Sequence, residues 1–267
     1  MQQCNNVQIR LYQICYNEET KQTIDPLCIP LDNSHSPKPE WFEFYPIKQF
    51  LDSNELEDNT YYGFLSPRFY EKTGVTISSL IELIQENSQE GIDVFLSSLG
   101  FGSIAYHQNL FEQGEMWHSG LKQLTQQVLN QMGIPVNLDT LVSSTHSAAY
   151  CNYIIGNKAY WQEWRQLAGI FYNLVEDDKS ELGEMLRANT AYCRGDAPMI
   201  TFIQERLPSI ILASNKYKTC SFGREINPNL LEHSKFEMCN YFKGRYNQTR
   251  DPMDLAVYRH IRETIHI

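Results

Sequence analysis

Two cationic residues are spaced so that they could bind one ligand together. Arg68 and Lys72 are four residues apart after a short apolar segment, so a helix over 68–73 would place both on one face. The planar guanidinium of Arg binds phosphate oxygens in pairs, and the Lys ammonium serves as a point charge. The pair can therefore bind a phosphate group. The alternative is an ordinary exposed Arg and Lys near the end of a strand.

A carboxylate that could take part in catalysis lies in the longest apolar segment of the chain, 199–213. Glu205 stands there beside Arg206. Removing either charge from water costs several kcal/mol, so a charged pair in a buried helix must be ion-paired or functional. We expect Glu205 either to act on a substrate or to pair with Arg206 or another cation and so anchor the helix.

The elements that position these residues alternate along the chain. Strands are predicted at 7–16, 61–65, 92–96 and 150–155, and helices at 47–51, 76–87, 121–132, 158–175, 230–246 and 253–265. We also expect an ordered loop at 25–40, a long surface loop at 100–120 and one apolar helix at 199–213. Alternation of this kind is typical of an α/β sheet with crossover helices.

Composition and charge exclude several classes of protein. Of the 267 residues, 22 are Lys or Arg and 32 are Asp or Glu, which gives a net charge of −10. Without a local basic patch, this charge argues against nucleic-acid binding. The seven cysteines are scattered singly, and no signal peptide or run of about 20 apolar residues is present, so the sequence predicts a cytoplasmic protein with reduced thiols.

The strong signatures of nucleotide, hydrolase and metal sites are missing from the sequence. It contains no G-x-x-x-x-G-K-[ST], no G-x-G-x-x-G, no G-x-S-x-G and no H-x-x-x-H. The histidines His107, His118 and His146 are too far apart in sequence to indicate a metal site. We therefore expect no metal ligands among them.

A family resemblance rests on several short motifs. In chain order they are Y-Q-I-x-Y-N-E-E (12–19), P-L-D-N (30–33), Y-Y-G-F-L-S-P-R-F (61–69), D-V-F-L (93–96), N-Y-I-I (152–155) with its Trp-bearing helix, and F-I-Q-E-R-L (202–207). The set resembles the bacterial GT-A-like glycosyltransferases encoded in surface and capsular polysaccharide gene clusters. It spans about 7–212, and the order of the motifs is more specific than any one of them.

The resemblance implies a fold and an activity. The fold is a GT-A-like, Rossmann-like mixed α/β sheet flanked by helices, in a single domain over 1–267 with a core at about 7–213 and a helical C-terminal extension at about 228–267. The activity is transfer of a sugar from a nucleotide-sugar, with UDP-sugar as the expected donor, to a surface-polysaccharide or glycolipid acceptor. The alternative is a non-catalytic GT-A-like binding or scaffold protein.

The sequence departs from the family pattern at the donor diphosphate. Many GT-A enzymes carry a D-x-D motif after the strand that corresponds to 61–65, and it holds a divalent metal. Here Ser66-Pro67-Arg68 stands in that place, and no D-x-D occurs in the chain. We therefore expect a metal-independent site that requires no cofactor, in which Ser66, Arg68 and Lys72 bind the diphosphate, although a divalent metal remains open.

The resemblance also assigns the other site residues. Tyr12, Asn17 and Glu18 at the first strand, and Asp32 and Asn33 in the loop after it, would bind the base and ribose; each has an alternative as a turn or cap residue. Glu205 would be the catalytic carboxylate, either as a base or facing the reacting carbon. The predicted sugar and acceptor residues are Asn152, Trp117, His118 and Arg206.

The expected partners follow from this assignment. They are the nucleotide-sugar and a glycan or lipid-linked acceptor, without nucleic acid. We expect the protein in the cytoplasm or peripherally at the inner membrane face.

Overall fold

The computed structural model describes residues 7–97, 100–149, 151–192, 195–223 and 233–266. The chain divides into two compact units, which we call unit 1 and unit 2. Unit 1 comprises Met1–Ser97, Asn152–Gln166 and Tyr217–Arg224, and unit 2 comprises Ser98–Cys151, Leu167–Lys216 and Glu225–Ile267. Within the described ranges, no helix combines the length and the apolar character needed to cross a bilayer.

Unit 1 contains a six-stranded mixed sheet. Its strands are β1 (Gln8–Cys15), β2 (Ile29–Asp32), β3 (Thr60–Leu65), β4 (Val94–Ser97), β5 (Ile154–Gly156) and β8 (Thr219–Phe222). They lie in the order β2-β1-β3-β5-β4-β8. β5 is antiparallel to both of its neighbours, and the other pairs are parallel. Unit 2 contains a hairpin of β6 (Asn189–Tyr192) and β7 (Gly195–Pro198).

Helices flank the sheet and make up most of unit 2. The first group is α1 (Glu18–Gln22), α2 (Phe44–Ser53), α3 (Phe69–Thr73), α4 (Ile77–Asn87), α5 (Phe101–Tyr106), α6 (Leu110–Glu115) and α7 (Leu121–Gln131). The second is α8 (Lys158–Asp177), α9 (Glu181–Arg187), α10 (Met199–Gln204), α11 (Leu207–Leu212), α12 (His233–Thr249) and α13 (Pro252–Glu263).

The central strand β3 is buried at every position, as expected for a strand covered on both faces. Gly63 lies at its middle because an added Cβ would come within 2.8 Å of the side chains of Ile155 and Leu11. Trp161, at the start of α8, packs edge-on against Phe64 at 4.9 Å and donates a hydrogen bond to the Tyr62 carbonyl at 2.8 Å. These contacts fix the start of α8 against the middle of the sheet.

The connections of β1 and β3 leave in opposite directions along the sheet. The chain goes from β1 to β2 at one edge, then returns past β1 to β3 and continues toward β4. The strand order therefore reverses between β1 and β3, which is the topological switch point of an open α/β sheet. Ligands of such sheets bind outside the carboxyl ends of the strands at this point.

The C-terminal helices of unit 2 pack on α5. Tyr258 of α13 and Cys239 of α12 are fully buried with Ala105 in one apolar cluster. Lys243 of α12 is also fully buried, and its Nζ donates to the backbone carbonyls of Ile104 and His107. The last carbonyls of α5 are thus satisfied by a lysine of α12, as the end of a buried helix requires.

The sequence predictions of the fold are mostly confirmed. The mixed α/β sheet, the flanking helices and the helical C-terminal segment are present, although 224–232, where that segment was expected to begin, lies outside the described residues. The sequence predicts a single domain over 1–267, and the structure divides into two compact units. The single domain stays a prediction.

Three local predictions were wrong. The expected loop at 25–40 contains strand β2, and the expected surface loop at 100–120 contains helices α5 and α6. The apolar segment 199–213 forms two helices, α10 and α11, because the chain turns at Glu205–Arg206 and Pro208 then stands in the first turn of the second helix.

Candidate functional site at the carboxyl edge of the sheet

The carboxyl ends of the parallel strands of unit 1 bring together polar residues from distant parts of the sequence. β1 is followed by Tyr16, β2 by Asn33 and β3 by Ser66. Because β5 runs the other way, it begins at this edge, directly after Asn152 and Tyr153. The edge at the switch point is therefore our candidate functional site.

Tyr153 is the centre of this site. Its hydroxyl lies 2.6 Å from Ser66 Oγ, and its backbone carbonyl accepts a hydrogen bond from Ser97 N at 3.0 Å. Phe69 packs edge-on against its ring at 5.2 Å, and Lys72 Nζ lies 5.7 Å from the ring centroid. The ring thus holds a cation near the end of β3 by a cation–π contact.

Asn152 shows two features typical of a functional position. It and Cys151 have φ of 56° and 55°, a left-handed conformation that is uncommon for residues other than glycine. Asn152 is buried, and its Oδ1 has no hydrogen-bond partner among the described residues. A buried acceptor without a partner costs free energy, and a hydrogen-bond donor of a bound ligand would satisfy it.

Arg68 forms an ion pair with a neighbour on its own turn. Its Nε donates to Glu71 Oε2 at 2.5 Å and its Nη2 to Glu71 Oε1, so both prongs of the guanidinium face one carboxylate. Arg68 is the N-cap of α3, and Lys72 donates its backbone N–H to the Arg68 carbonyl. The predicted helical turn is present, and a phosphate at Arg68 would have to compete with Glu71.

Two of the predicted nucleotide-binding residues are occupied by local bonds. Asn17 caps α1, where its side chain accepts from Thr20 N at 2.8 Å and Thr20 completes a capping box. Asp32 accepts from Ser34 N at 2.9 Å, and hydrogen bonds from Ser34 hold the pKa of Asp32 below its usual value. These are the turn and cap roles that the sequence left as alternatives.

Three other predicted residues differ in their exposure. Glu18 is exposed, with Lys21 at 3.9 Å. Asn33 is buried, and its N–H donates to the Cys15 carbonyl at 2.8 Å, which joins the ends of β2 and β1. Tyr12 lies inside β1, where its ring stacks on Phe64 at 5.4 Å and contacts Phe50 at 4.6 Å. The ring of Tyr12 thus belongs to the aromatic core.

The residues that sequence reasoning missed are Tyr16, Tyr153 and Ser97. Burial raises the pKa of Tyr16, and the nearby Glu43 and Tyr153 add to this shift. Ser97 is buried at the end of β4, and its Oγ has no partner among the described residues. Sequence reasoning missed Tyr153 because this residue directly precedes β5. The start of a strand reaches the carboxyl edge of the sheet only when that strand is antiparallel to its neighbours, and the sequence does not show the direction of β5.

Glu205 and Arg206 lie in unit 2, at the turn between α10 and α11. Arg206 is 5% exposed, and its guanidinium donates to the carbonyls of Leu110 at 3.0 Å and Phe202 at 2.7 Å and to Gln113 Oε1 at 3.0 Å. Arg206 thus joins this turn to α6. Glu205 is partly buried, and its N–H donates to the Thr201 carbonyl at 3.3 Å.

The predicted acceptor residues Trp117 and His118 and the nearby Phe111 have three different environments. Trp117 is 69% exposed, although large aromatic side chains are usually covered. His118 is buried and stacks on Phe202 with ring centroids 3.6 Å apart. Phe111 is fully buried in the core. Of these three side chains, only Trp117 is available to stack on a ligand from solvent.

The described residues do not form a metal site of the usual kind. Among them, no three His, Cys, Asp or Glu side chains lie close enough together to hold a metal ion. Residues 66–68 offer Ser, Pro and Arg where a metal would need oxygen anions. Metal independence itself stays a prediction.

No protein-family model matches the chain. No curated protein matches it either. The fold matches a solved structure described as the apo structure of the WbbM bifunctional glycosyltransferase, with a TM-score of 0.50 and 16% identity over 84% of this chain. The match covers 48% of that structure's chain, so the protein spans about half of its length.

At this identity the match establishes the fold alone. The chain therefore has an α/β fold that resembles a glycosyltransferase, with a mixed six-stranded sheet flanked by helices and a helical C-terminal segment.

Proposed function

We propose that this protein is a glycosyltransferase that moves a sugar from a nucleotide-sugar donor to a surface-polysaccharide or glycolipid acceptor without a bound metal. One observation carries the proposal: Arg68 and Lys72 follow β3 directly at the topological switch point. A cytoplasmic location, or a peripheral one at the inner membrane face, fits such a donor and is part of the proposal.

The proposed chemistry is stabilisation of a leaving diphosphate. Negative charge builds up on the nucleoside diphosphate as the bond to the sugar breaks, and fixed cations stabilise that charge. Arg68 and Lys72 would supply these cations, and the Ser66 hydroxyl would donate a hydrogen bond. Asn152 Oδ1 would accept from a sugar hydroxyl, and Asn33 and Asp32 would bind base or ribose.

Glu205 is proposed as the reacting carboxylate. It would take the proton of the acceptor hydroxyl in an inverting enzyme or face the cationic sugar carbon in a retaining one. The change Glu205→Gln keeps the shape of the side chain and removes its charge. We expect loss of turnover with an unchanged thermal midpoint, whereas a collapsed midpoint would indicate a structural ion pair.

The donor site is tested by binding. Thermal shifts are measured with UDP-, GDP-, CMP- and TDP-sugars, with and without manganese, since a ligand at about 100 times its Kd adds about 2.7 kcal/mol to stability. We expect a shift with one nucleotide-sugar that needs no manganese. Binding that requires manganese would contradict the metal-independent site.

A matched pair of variants assigns the binding to the cations. Arg68 and Arg10 have similar side-chain exposure, 33% and 35%, and each pairs with a nearby glutamate. Arg10 lies in the first half of β1, away from its carboxyl end. We expect Arg68→Gln to weaken nucleotide-sugar binding about tenfold and Arg10→Gln to leave it unchanged.

A second candidate is a non-catalytic binding or scaffold protein. The ion pair between Arg68 and Glu71 favours it, because a guanidinium already held by a carboxylate is a poor phosphate ligand. Binding of UDP without transfer or hydrolysis of any UDP-sugar would support this candidate. Turnover that depends on Glu205 would exclude it.

A further inference from the structure

Unit 2 contains an open pocket of about 560 Å³ between α5, α6 and the end of α13. Its walls include His107, Glu112, Met116, Arg262 and Ile265. None of these residues takes part in the donor site proposed above. The volume falls in the range of small-molecule pockets.

The charged groups in this pocket neutralise each other and are held in place. Arg262 Nη2 donates to Glu112 Oε1 at 2.6 Å, and the Arg262 guanidinium lies 4.7 Å from the ring centroid of Tyr106. The other Glu112 oxygen accepts from Gln108 N at 2.6 Å. Burial acts to raise the pKa of Glu112, but the hydrogen bonds from Arg262 and Gln108 outweigh it and hold the pKa below its usual value.

A fixed guanidinium beside a fixed carboxylate matches one kind of ligand best. Each hydroxyl of a saccharide both donates and accepts, so neighbouring hydroxyls can accept from Arg262 and donate to Glu112. A phosphate or a carboxylate would be repelled by Glu112, and a cation by Arg262. The pocket therefore favours a neutral polyol over an ion.

His107 adds an unsatisfied polar atom to the same wall. The residue is 8% exposed, and its Nδ1 has no hydrogen-bond partner among the described residues. Burial lowers the pKa of His107, so the imidazole is neutral and can donate from one nitrogen and accept at the other. A neutral imidazole suits a hydroxyl ligand.

The rim of the pocket offers an apolar surface. Met116, which lines the pocket, is 66% exposed, and Trp117, the next residue in the chain, is 69% exposed. Exposed aromatic side chains of this kind present a flat apolar face on which the C–H groups of a sugar ring can pack. Polar groups in the pocket and an exposed tryptophan that follows a wall residue in the chain fit the two faces of a saccharide.

We propose that this pocket of unit 2 binds a neutral saccharide through Glu112 and Arg262, with a sugar ring on Trp117. That the saccharide is the acceptor glycan rests on the glycosyltransferase function proposed above. The pocket itself makes no use of the donor residues.

The structure supplies a local reporter for this site. Of the four tryptophans, Trp41, Trp161 and Trp164 are at most 2% exposed, so acrylamide in solution quenches the fluorescence of Trp117 almost alone. The probes are neutral trisaccharides of hexoses, 6-deoxyhexoses and N-acetylhexosamines, with inorganic phosphate as the ionic comparison. We expect at least one trisaccharide, and not phosphate, to protect Trp117 from quenching in a saturable way.

Variants test the residues by calorimetric titration of the same trisaccharide. Trp117→Ala changes an exposed side chain, and Tyr241→Ala, at 58% exposure in α12, is its matched control. We expect Trp117→Ala and Glu112→Gln each to weaken binding about tenfold and Tyr241→Ala to leave it unchanged. If Glu112→Gln loses its cooperative thermal transition, it is not folded and its affinity is not interpreted. The affinity of Trp117→Ala alone then tests the proposed site.

The outcomes separate this pocket from the donor site. Protection by phosphate, no protection by any trisaccharide, or unchanged affinity in Trp117→Ala would overturn the pocket proposal. Saccharide binding that survives Arg68→Gln, in a protein that binds no nucleotide-sugar, would support the pocket while the proposed transferase function fails. Nucleotide-sugar binding without saccharide binding would give the reverse result.

Discussion

The hydroxyl of Tyr153 lies 2.6 Å from the Oγ of Ser66 and joins the start of β5 to the residue that follows β3. Both side chains are buried, at 1% and 4% exposure. The bond therefore fixes the antiparallel strand beside the switch point, and the ring of Tyr153 in turn lies under Lys72. Tyr153 therefore both packs in the sheet and positions Lys72, one of the two cations proposed to bind the diphosphate.

Removing either member of this pair should cost stability. Tyr153→Phe removes the hydroxyl that the buried Ser66 Oγ contacts, and Ser66→Ala removes that contact from the Tyr153 hydroxyl, so each should lower the free energy of unfolding by about 1–3 kcal/mol. The double variant should lose less than the sum of the two, because both groups are removed together. Urea unfolding of the four proteins measures this coupling; additive losses would show that the hydroxyls do not interact.

Releasing Arg68 from Glu71 should strengthen anion binding. Glu71→Gln removes the negative charge that both prongs of Arg68 contact, and this weakens the competition with a diphosphate for the guanidinium. We expect higher affinity for UDP and a change in stability within about 0.5 kcal/mol, because exposed ion pairs contribute little. Titration calorimetry measures the affinity.

The control for this variant is Glu57→Gln, which releases Arg10 in the same way at another part of the sheet. Its UDP affinity should equal that of the parent protein. Equal gains in both variants would mean that net charge alone, and not Arg68, attracts the nucleotide.

The sequence predicts the part of the fold that depends on local pattern. The alternating and apolar segments at 7–16 and 61–65 correspond to β1 and β3, and the helical period at 76–87 corresponds to α4. The direction of β5 could not be predicted in this way, because strand pairing depends on contacts between distant segments. The role of Tyr153 at the carboxyl edge was missed for this reason.

Short elements were missed for a different reason. Helix α6 has six residues, too few to show a helical period, and its start is marked only by Asn109, whose side chain accepts from Phe111 N and Glu112 N. Strand β2 has four residues and contains Pro30, which has no backbone N–H to donate to a neighbouring strand. Residue types alone therefore suggested loops in both places.

The buried Lys243 should make stability depend on pH. Burial lowers its pKa from 10.5 to about 7, with smaller effects of Cys239, Glu112 and Arg262. Between these two pKa values the unfolded chain binds a proton that the folded protein does not, so the contribution of Lys243 to the free energy of unfolding rises with pH. The slope is at most about 1.4 kcal/mol per pH unit.

Lys243→Met isolates this contribution because the methionine does not titrate. We expect the parent protein to gain stability relative to the variant as the pH rises from about 7 to about 9, measured by urea unfolding at each pH. Parallel pH profiles would show that the buried ammonium keeps an ordinary pKa.

A glycine in α6 should be needed to accommodate Arg206. A Cβ at Gly114 would lie 2.9 Å from Arg206 Nε, so Gly114→Ala must displace a guanidinium that makes three hydrogen bonds. We expect a loss of about 1–3 kcal/mol, despite the gain in helix propensity of up to about 1 kcal/mol. Gly244→Ala in α12 is the control, because no heavy atom lies within 4 Å of its added Cβ, and it should stabilise the protein.

If Arg206 anchors the turn as its contacts indicate, Arg206→Met should destabilise as well, and adding Gly114→Ala to it should then cost little more. Full additivity of the two changes would instead mean that Gly114 is needed for a reason other than Arg206.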